Sequence, residues 1–336
     1  MNFQRLGNSG LEVSRLCLGT MMFGDRTDAA AAGEIIAHAL DAGVNFIDTA
    51  DAYAKGASES IVGPAIARGR DRWILATKVG NPVQDAPHEG GLSRRWIVAA
   101  CEGSLKRLNT DWIDIYYLHK DDLRTPLAET IATIGDLIRA GKVRYFGISN
   151  YRGWRIAELM HWCSALSVPP PVVCQPYYNL LNRMPEVEIL PACDHYGIGV
   201  ASYSPIARGV LTGKYRGGTV PDGTRAARKD RRMMETEFRA ESFAIAERLE
   251  AHARASGRTS IQFALAWLWA NRIVTSVIAG PRTLEQWKDY VAAMGTPWSD
   301  EDEKLVDSLV TPGHASTPGF NDPAYPIEGR KPRTGS

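Results

Sequence analysis

The sequence predicts a (β/α)8 TIM barrel with extra helices and a long loop after the seventh strand. Eight short apolar runs of β-like composition alternate with amphipathic, helix-like segments, and eight is the number of strands that closes such a barrel. The competing fold, a doubly wound open sheet, usually carries G-x-G-x-x-G after its first strand. The chain contains no such motif, so we expect the closed barrel.

The predicted strands are bounded by Gly, Pro and polar turns. They span residues 15–22, 45–50, 73–79, 112–119, 143–150, 172–179, 199–205 and 275–281. The clearest helical segments between them are residues 27–43, 93–109 and 126–142. The last of these carries Gly141 in the position of a helix stop, just before the fifth strand.

We expect one barrel domain over residues 1–310 and an irregular, Pro/Gly-rich tail over residues 311–336. The tail either extends across the barrel mouth or frays. Residues 213–238, after the seventh strand, are rich in Gly and charge and long for an ordinary loop, which favours a lid. Within them, the basic run 225–232 either holds phosphate or forms a solvated, mobile loop.

Composition excludes several classes of protein. The 39 Lys and Arg balance the 38 Asp and Glu, so nucleic acid is not an expected partner. The longest apolar run, 263–270, is far shorter than the ~20 residues of a membrane span, and residues 1–16 lack the apolar core of a signal peptide. Five cysteines form no Cys-x-x-Cys pair. We therefore expect a cytoplasmic protein with reduced thiols and no membrane contact.

Polar side chains follow three consecutive predicted strands. Asp48 ends the second strand with Tyr53 just beyond it, Lys78 lies at the end of the third, and His119 ends the fourth. Each alone has an ordinary structural explanation: a helix cap, a rim tyrosine, a surface lysine or a core histidine. Because active sites of such barrels lie at the C-terminal ends of the strands, the four together predict a catalytic site.

The chemistry explains this grouping. A free tyrosine has a pKa of ~10 and is a poor acid at neutral pH. An adjacent Lys78 ammonium would lower the pKa of Tyr53, while Asp48 would compensate Lys78 and fix its position. His119 would hydrogen-bond and polarise a substrate carbonyl oxygen.

These residues resemble a known family. "DTADAY", "TK" and "LH" are similar to the Asp, Tyr, Lys and His tetrad of the aldo-keto reductases. "LGTMMFG", "GISN", "QPYYN", "SYSPIARGVLTGKY" and "VIAGPRTLEQWKDY" resemble further strand-end motifs of that family, in order, over residues 3–310. The long segment after strand seven is similar to that of the branch containing potassium-channel β subunits and bacterial aldo-keto reductases.

The resemblance implies reduction of an aldehyde or ketone by hydride from NADPH, with Tyr53 as proton donor. NADPH or NADP+ would lie across the barrel mouth, with the nicotinamide ring stacked on Tyr203 and its carboxamide held by Ser149, Asn150 and Gln175. The path of the pyrophosphate, which we call the phosphate path, would be lined by Ser204, Ile206, Arg208, Gly209 and Lys214. Arg282, Gln286 and Asp289 would reach the adenosine end, with Arg282 favouring NADPH over NADH. Tyr290 departs from the asparagine that such members often carry near adenine. The residues implied in cofactor binding are Thr20, Met21, Asp48, Ser149, Asn150, Gln175, Tyr203, Ser204, Pro205, Ile206, Arg208, Gly209, Lys214, Gly280, Arg282, Gln286 and Asp289.

Other sites are disfavoured. "RGVLTGKY" is one residue short of P-loop spacing, with Tyr where Ser or Thr should follow the lysine. No His-Glu-x-x-His spacing predicts a metal, and no Gly-x-Ser-x-Gly elbow predicts a serine hydrolase. The rival hypothesis is an NADPH-binding regulatory partner with slow turnover.

The predicted partner is a small-molecule carbonyl substrate, and the oligomeric state stays open. The substrate pocket is expected to include Met21, Phe23, Tyr53, Trp112, His119 and residues 214–238. Lys120 and Asp121 either meet a polar substrate or belong to a solvated loop.

Overall fold

The computed structural model describes residues 3–83 and 89–327. Its strands are β1 (Phe3–Arg5), β2 (Glu12–Ser14), β3 (Leu16–Gly19), β4 (Phe46–Asp48), β5 (Ile74–Val79), β6 (Ile113–Leu118), β7 (Val143–Ser149), β8 (Val173–Gln175), β9 (Gly199–Tyr203) and β10 (Val274–Ala279). Strands β3 to β10 pair in parallel and in chain order, and β10 pairs with β3, so the barrel is closed. The predicted (β/α)8 fold and all eight predicted strands are confirmed.

The N-terminal hairpin of β1 and β2 is an element that the sequence analysis did not predict. It lies at the N-terminal end of the barrel, where Ser14 N donates to Asn45 Oδ1 just before β4. Leu6 and Val13 from this hairpin are fully buried against barrel residues such as Phe46 and Ile115. The hairpin therefore closes the end of the barrel opposite to the predicted site.

The helices surround the barrel and bury an apolar face against it. They are α1 (Ala29–Asp41), α2 (Ala57–Ile66), α3 (Arg94–Leu108), α4 (Leu127–Arg139), α5 (Gly153–Ala165), α6 (Ile189–Tyr196), α7 (Arg231–Thr236), α8 (Ala240–Ala255), α9 (Ser260–Ala270), α10 (Leu284–Ala292) and α11 (Asp300–Leu309). Asp28 and Ser93 cap α1 and α3 through their side chains. Gly141 has φ 73° just after α4, as the predicted helix stop requires.

The chain beyond β9 runs over the mouth of the barrel. Residues 213–238 include α7 and reach the ends of β10 and β3, where Arg282 Nη1 donates to Gly223 O at 2.9 Å. The tail over 311–327 contains no helix and is tied to α7 by two hydrogen bonds from Arg232 to Asp322, at 2.9 and 2.6 Å. The sequence analysis left open whether the tail extends across the barrel mouth or frays. Its described part is held against α7 and does not fray.

Two further observations concern the described residues. None of their helices combines the length and apolarity needed to cross a membrane. The five cysteines, at positions 17, 101, 163, 174 and 193, are all buried and free, as expected for reduced thiols.

Candidate active site

The four predicted catalytic side chains meet at the C-terminal end of the barrel. Asp48 is the last residue of β4, and Lys78 lies near the end of the neighbouring strand β5. Tyr53 begins a short 3-10 helix after β4, in which Ala54 and Lys55 adopt positive φ, and His119 directly follows β6. Parallel strands end at one edge, so residues distant in sequence become neighbours.

Lys78 is the centre of the cluster. Its fully buried ammonium donates to Asp48 Oδ2 at 2.5 Å, to Thr49 O at 2.8 Å and to Tyr53 Oη at 3.0 Å. These three bonds use all three donors of the ammonium. The other Asp48 oxygen, Oδ1, accepts from Gln175 Nε2 at 2.9 Å. The buried carboxylate therefore has the charged partner that the sequence analysis predicted.

The pKa values follow from burial and these contacts. Burial opposes the charge on Lys78, but Asp48 and Tyr53 raise the pKa of Lys78 above its ordinary value. Burial raises the pKa of Asp48, and Lys78 opposes this shift. Lys78 also acts to lower the pKa of Tyr53, but burial is the larger cause and raises that pKa above 10. The expected net lowering of the Tyr53 pKa is therefore wrong for this structure: Tyr53 holds its proton, beside an ammonium placed to stabilise the phenolate.

His119 faces Tyr53 edge to face, with 5.9 Å between the ring centroids. Burial, Lys78 and Lys120 lower the pKa of His119 well below 6.5. The imidazole is therefore neutral at pH 7 and can donate one hydrogen bond to a carbonyl oxygen. Asn150 Nδ2 donates to His119 O at 3.0 Å and so fixes the end of β6.

The residues predicted to hold the nicotinamide form a hydrogen-bonded chain beside the tetrad. Ser149 Oγ donates to Gln175 O at 2.8 Å, Asn150 Nδ2 donates to Ser149 Oγ at 2.9 Å, and Tyr203 Oη donates to Asn150 Oδ1 at 3.0 Å. Asn150 adopts φ 60°, which asparagine tolerates better than most residues. The half-buried ring of Tyr203 therefore lies fixed beside the tetrad, where a planar ring could stack.

Three cations, Lys214, Arg225 and Arg282, lie close together at the predicted phosphate path. Lys214 is exposed, and partial burial, Arg282 and Arg225 lower its pKa. Burial also lowers the pKa of Arg225, although Asp230 pairs with it at 3.1 Å. Positive groups that repel one another fit an anion such as a pyrophosphate. Residues 204–209 border this region, but Arg208 pairs with the fully buried Glu237 at 2.5 Å.

Arg225 was not among the predicted site residues. It belongs to the basic run 225–232, for which phosphate binding and a solvated loop were both open. Its side chain lies near Lys214 and reaches Met22 Sδ at 3.9 Å. The basic run was the only signal for it in the sequence.

The remaining predicted cofactor residues lie around the mouth in different environments. Thr20 Oγ1 donates to Asp48 O at 3.0 Å and is fully buried, whereas Met21 is 40% exposed. Gln286 Oε1 accepts from Arg282 N at 2.9 Å. Asp289 is exposed and lines a cleft of about 490 Å³ with Thr212 and Glu250. Pro205 and Gly209 are buried, Ser204 and Ile206 are half-buried, and Gly280 is exposed just after β10.

Asp51 is a second buried acid that the sequence analysis missed. It is fully buried between the tetrad and the ion pair of Glu59 with Arg107, whose atoms are 2.7 Å apart. Neither carboxylate oxygen accepts a hydrogen bond of normal length and angle from the described residues. Burial and the neighbouring Glu59 raise the pKa of Asp51 to about 7, which the Ala52 amide, Arg107 and Lys78 oppose.

A cleft of about 950 Å³ opens beside His119, and we call it the substrate cleft. It is formed by the loops after β5, β6 and β7, the start of α3, and the tail. Its lining comprises Gly80, Pro82, Glu89, Gly90, Gly91, Ser93, Arg95, Lys120, Asp121, Asp122, Leu123, Arg124, Thr125, Asn150, Arg152, Ala324, Tyr325 and Pro326.

Two predicted pocket residues are wrong. Trp112 precedes β6 and so lies at the opposite end of that strand from His119, with Arg70 stacked 4.5 Å from its ring centroid. Phe23 is fully buried in the core between barrel and helices. The error at Phe23 comes from assigning an apolar side chain to the pocket without knowing its direction, whereas Trp112 begins the predicted strand 112–119, so its position alone places it at the end opposite to His119.

Comparison with known proteins gives consistent matches over most of the chain. Residues 15–311 match the model of the Aldo/keto reductase family. The chain is 38% identical to an uncharacterized oxidoreductase, YrpG, of Bacillus subtilis (strain 168), over 95% of this chain and 98% of that protein. It is 36% identical to a probable voltage-gated potassium channel subunit beta of Arabidopsis thaliana, over 88% of this chain and 91% of that protein. It is 31% identical to L-glyceraldehyde 3-phosphate reductase of Escherichia coli (strain K12), over 93% of each.

Proposed function

The chain belongs to the aldo/keto reductase family, and from that premise we propose that it reduces an aldehyde or ketone to an alcohol with NADPH, with Tyr53 as the proton donor. One observation carries the proposal: the Lys78 ammonium bonds Asp48 and the Tyr53 hydroxyl at the same time, at 2.5 and 3.0 Å. This arrangement suits an acid whose conjugate base must be stabilised.

Each residue of the tetrad has a separate role in the proposed reaction. NADPH, when bound, supplies the hydride to the carbonyl carbon. His119 donates a hydrogen bond to the carbonyl oxygen and orients it towards Tyr53. The Tyr53 hydroxyl gives its proton to that oxygen, and Lys78 stabilises the phenolate that remains, until solvent returns the proton. Asp48 holds Lys78 in place through its 2.5 Å contact.

The phosphate path also fits this cofactor. Lys214, Arg225 and Arg282 form a positive cluster, in which burial and then the charges of Arg282 and Arg225 lower the pKa of Lys214. Phosphate oxygens would relieve this repulsion. These three residues would hold the phosphates, and Arg282 would favour the 2′-phosphate of NADPH.

The test is NADPH oxidation, followed at its absorbance band with a panel of nitrobenzaldehydes, methylglyoxal, quinones, pyridoxal and ketosteroids, and with NADH in parallel. Tyr53→Phe should lower kcat by about a hundredfold or more, the size expected of a lost general acid, while NADPH binding persists. Tyr196→Phe, which removes a phenol from the outer helix α6, is the matched control. Wild-type rates in Tyr53→Phe would refute the assignment of the acid.

A second candidate function has an observation in its favour. One relative is named a probable voltage-gated potassium channel subunit beta, so this chain would instead be an NADPH-binding regulatory partner with slow turnover. Tight NADPH binding combined with silence across the whole carbonyl panel would favour this second function. The complete tetrad supports the enzyme as the first.

A further inference from the structure

The substrate cleft contains charges that the proposed reaction does not use. Four cations, Arg95, Lys120, Arg124 and Arg152, and three acids line it among the described residues. The cleft adjoins the carbonyl-orienting His119, because its lining includes Lys120, the next residue in the chain, and Gly80, whose added Cβ would lie 3.9 Å from His119 Cβ. Whatever these side chains bind would therefore sit beside the reacting carbonyl.

Two of the acids are already engaged. Asp121 accepts from Arg155 Nε at 3.0 Å, and the guanidinium of Arg155 is only 8% exposed. Asp122 Oδ2 accepts from Leu92 N and from Thr125 Oγ1, both at 2.8 Å, so its carboxylate holds the loop together. The third acid is Glu89. Two of the three acids are therefore committed to the walls of the cleft, and Glu89 remains as one acid against its four cations.

Two of the cations, Lys120 and Arg152, have no acidic partner among the described residues. Within residues 3–83 and 89–327, Lys120 makes no ion pair and no side-chain hydrogen bond. Arg152 donates to Tyr325 O at 2.8 Å and to Pro326 O at 3.2 Å, which are neutral carbonyl groups, and it makes no ion pair with an acid of the described ranges. By contrast, Arg124 is 92% exposed and lies 3.7 Å from Asp122.

We propose that Lys120 and Arg152 receive an anionic group, a carboxylate or a phosphate, carried by the carbonyl substrate. The enzyme would then use anionic aldehydes or ketones in preference to neutral ones of the same shape. Lysine serves as a compact point charge and arginine as a planar donor pair, and both suit these anions. This inference rests on the proposed function and deepens it by naming the substrate class.

Lys120 and Arg152 follow neighbouring strands of the barrel, β6 and β7. Arg152 lies two residues after Asn150, whose side chain holds the His119 carbonyl at 3.0 Å. The residues that orient the substrate carbonyl and those that receive its anion therefore stand on adjacent strand ends, β6 and β7. A volume of about 950 Å³ leaves room for a substrate that reaches both.

The experiment compares matched aldehydes in the wild type and in the double variant Lys120→Gln/Arg152→Gln. One pair is 4-carboxybenzaldehyde with 4-nitrobenzaldehyde, and the other is glyceraldehyde 3-phosphate with glyceraldehyde. The ratio of kcat/KM between variant and wild type cancels the intrinsic reactivity of each aldehyde. We expect a loss of about tenfold or more for the anionic member of a pair, mainly through KM, and little change for the neutral member.

Which pair responds tells carboxylate from phosphate. Lys120→Arg should retain most of the anionic preference because it keeps the charge. Lys304→Gln, which removes a charge from the exposed face of α11, is the control. An equal effect of the double variant on anionic and neutral members in both pairs would overturn the anion site.

A binding measurement separates failure of this inference from failure of the proposed function. Calorimetric binding of 4-carboxybenzoate to the NADP+-loaded protein needs no turnover. Loss of its affinity in the double variant would support the anion site even if no aldehyde were reduced. Equal affinity in wild type and variant would overturn the site even in an active reductase.

Discussion

At the scale of single residues, Lys78 illustrates how a buried charge is retained. Desolvation alone would drive off its proton, but Asp48, Tyr53 and the Thr49 carbonyl all accept from the ammonium within 3.0 Å. The same contacts place the ammonium where a phenolate on Tyr53 would form. Structural stability and the proposed chemistry thus depend on one set of hydrogen bonds, and we expect substitutions at Lys78 to affect both.

Asp51 provides a test of buried charge outside the tetrad. In the unfolded chain its carboxyl loses its proton near the ordinary value of 3.8, whereas in the folded protein it holds the proton until about pH 7. The folded state therefore binds more protons between these values, and its stability falls as pH rises through them. Across that range, Asp51→Asn should gain stability relative to wild type by up to roughly 4 kcal/mol.

The measurement is urea unfolding of wild type and Asp51→Asn at pH values from 4 to 8. The predicted quantity is the change of their difference with pH, so any constant offset from packing of the amide does not matter. Asp25→Asn, which removes a 52% exposed carboxylate, controls for a change of surface charge. A difference that stayed flat from pH 4 to 8 would contradict a buried, protonated Asp51.

At the scale of elements, local pattern located all eight barrel strands but not the hairpin. Each hairpin strand has three residues, and β1 is exposed along its whole length, so no apolar alternation marks it. Its contribution comes from Leu6 and Val13, which are buried only because the barrel lies beneath them. Such long-range burial leaves no local signal in the sequence.

Gly147 in β7 shows a packing requirement inside an element. A Cβ atom at this position would lie 2.6 Å from Tyr117 Cε1 and 2.8 Å from Val173 Cγ1. Tyr117 is fully buried inside the barrel, so its ring has little room to move. Gly147→Ala should therefore destabilise the protein by about 1–3 kcal/mol, as overpacking usually does, measured by urea unfolding.

Gly33 in α1 is the matched control for this substitution. No atom lies within 4 Å of its added Cβ, and the residue is helical. Gly33→Ala should stabilise the protein by roughly 0.5–1 kcal/mol, because alanine loses less backbone entropy in a helix. A stabilising effect of both substitutions would mean that the barrel interior at Gly147 has room for a methyl group.

At the scale of the whole molecule, topology explains what could be predicted of the site. Asp48, Lys78 and His119 were found because parallel strands carry their last residues to one edge, which strand order alone predicts. Arg225 was not found because the direction of a loop side chain depends on packing. Asp51 was not found because its burial beside Glu59, which raises its pKa, also depends on packing. Trp112, by contrast, begins the predicted strand 112–119, so strand order alone could have placed it opposite to His119.

The tail joins two parts of the molecule that the sequence left unconnected. Arg232 in α7 binds Asp322 through two hydrogen bonds, and residues 324–326 form one wall of the substrate cleft. The pair is partly buried, with Asp322 12% exposed, so its loss should matter more than that of a surface pair. Asp322→Ala should therefore speed amide hydrogen exchange in residues 316–327 and raise KM for the carbonyl substrate.

The matched control for this prediction is Glu235→Ala, because Glu235 also pairs with Arg232, at 3.0 Å, but lies within α7 and makes no hydrogen bond or ion pair to residues 311–327 of the tail. Both variants remove one acidic partner of the same guanidinium. If the tail is held in place through Asp322, only Asp322→Ala should release it, and NADPH affinity should change less than KM. Equal exchange rates in the two variants would mean that the other contacts, from Arg152 to Tyr325 O and from Arg239 to Thr317, suffice to hold the tail.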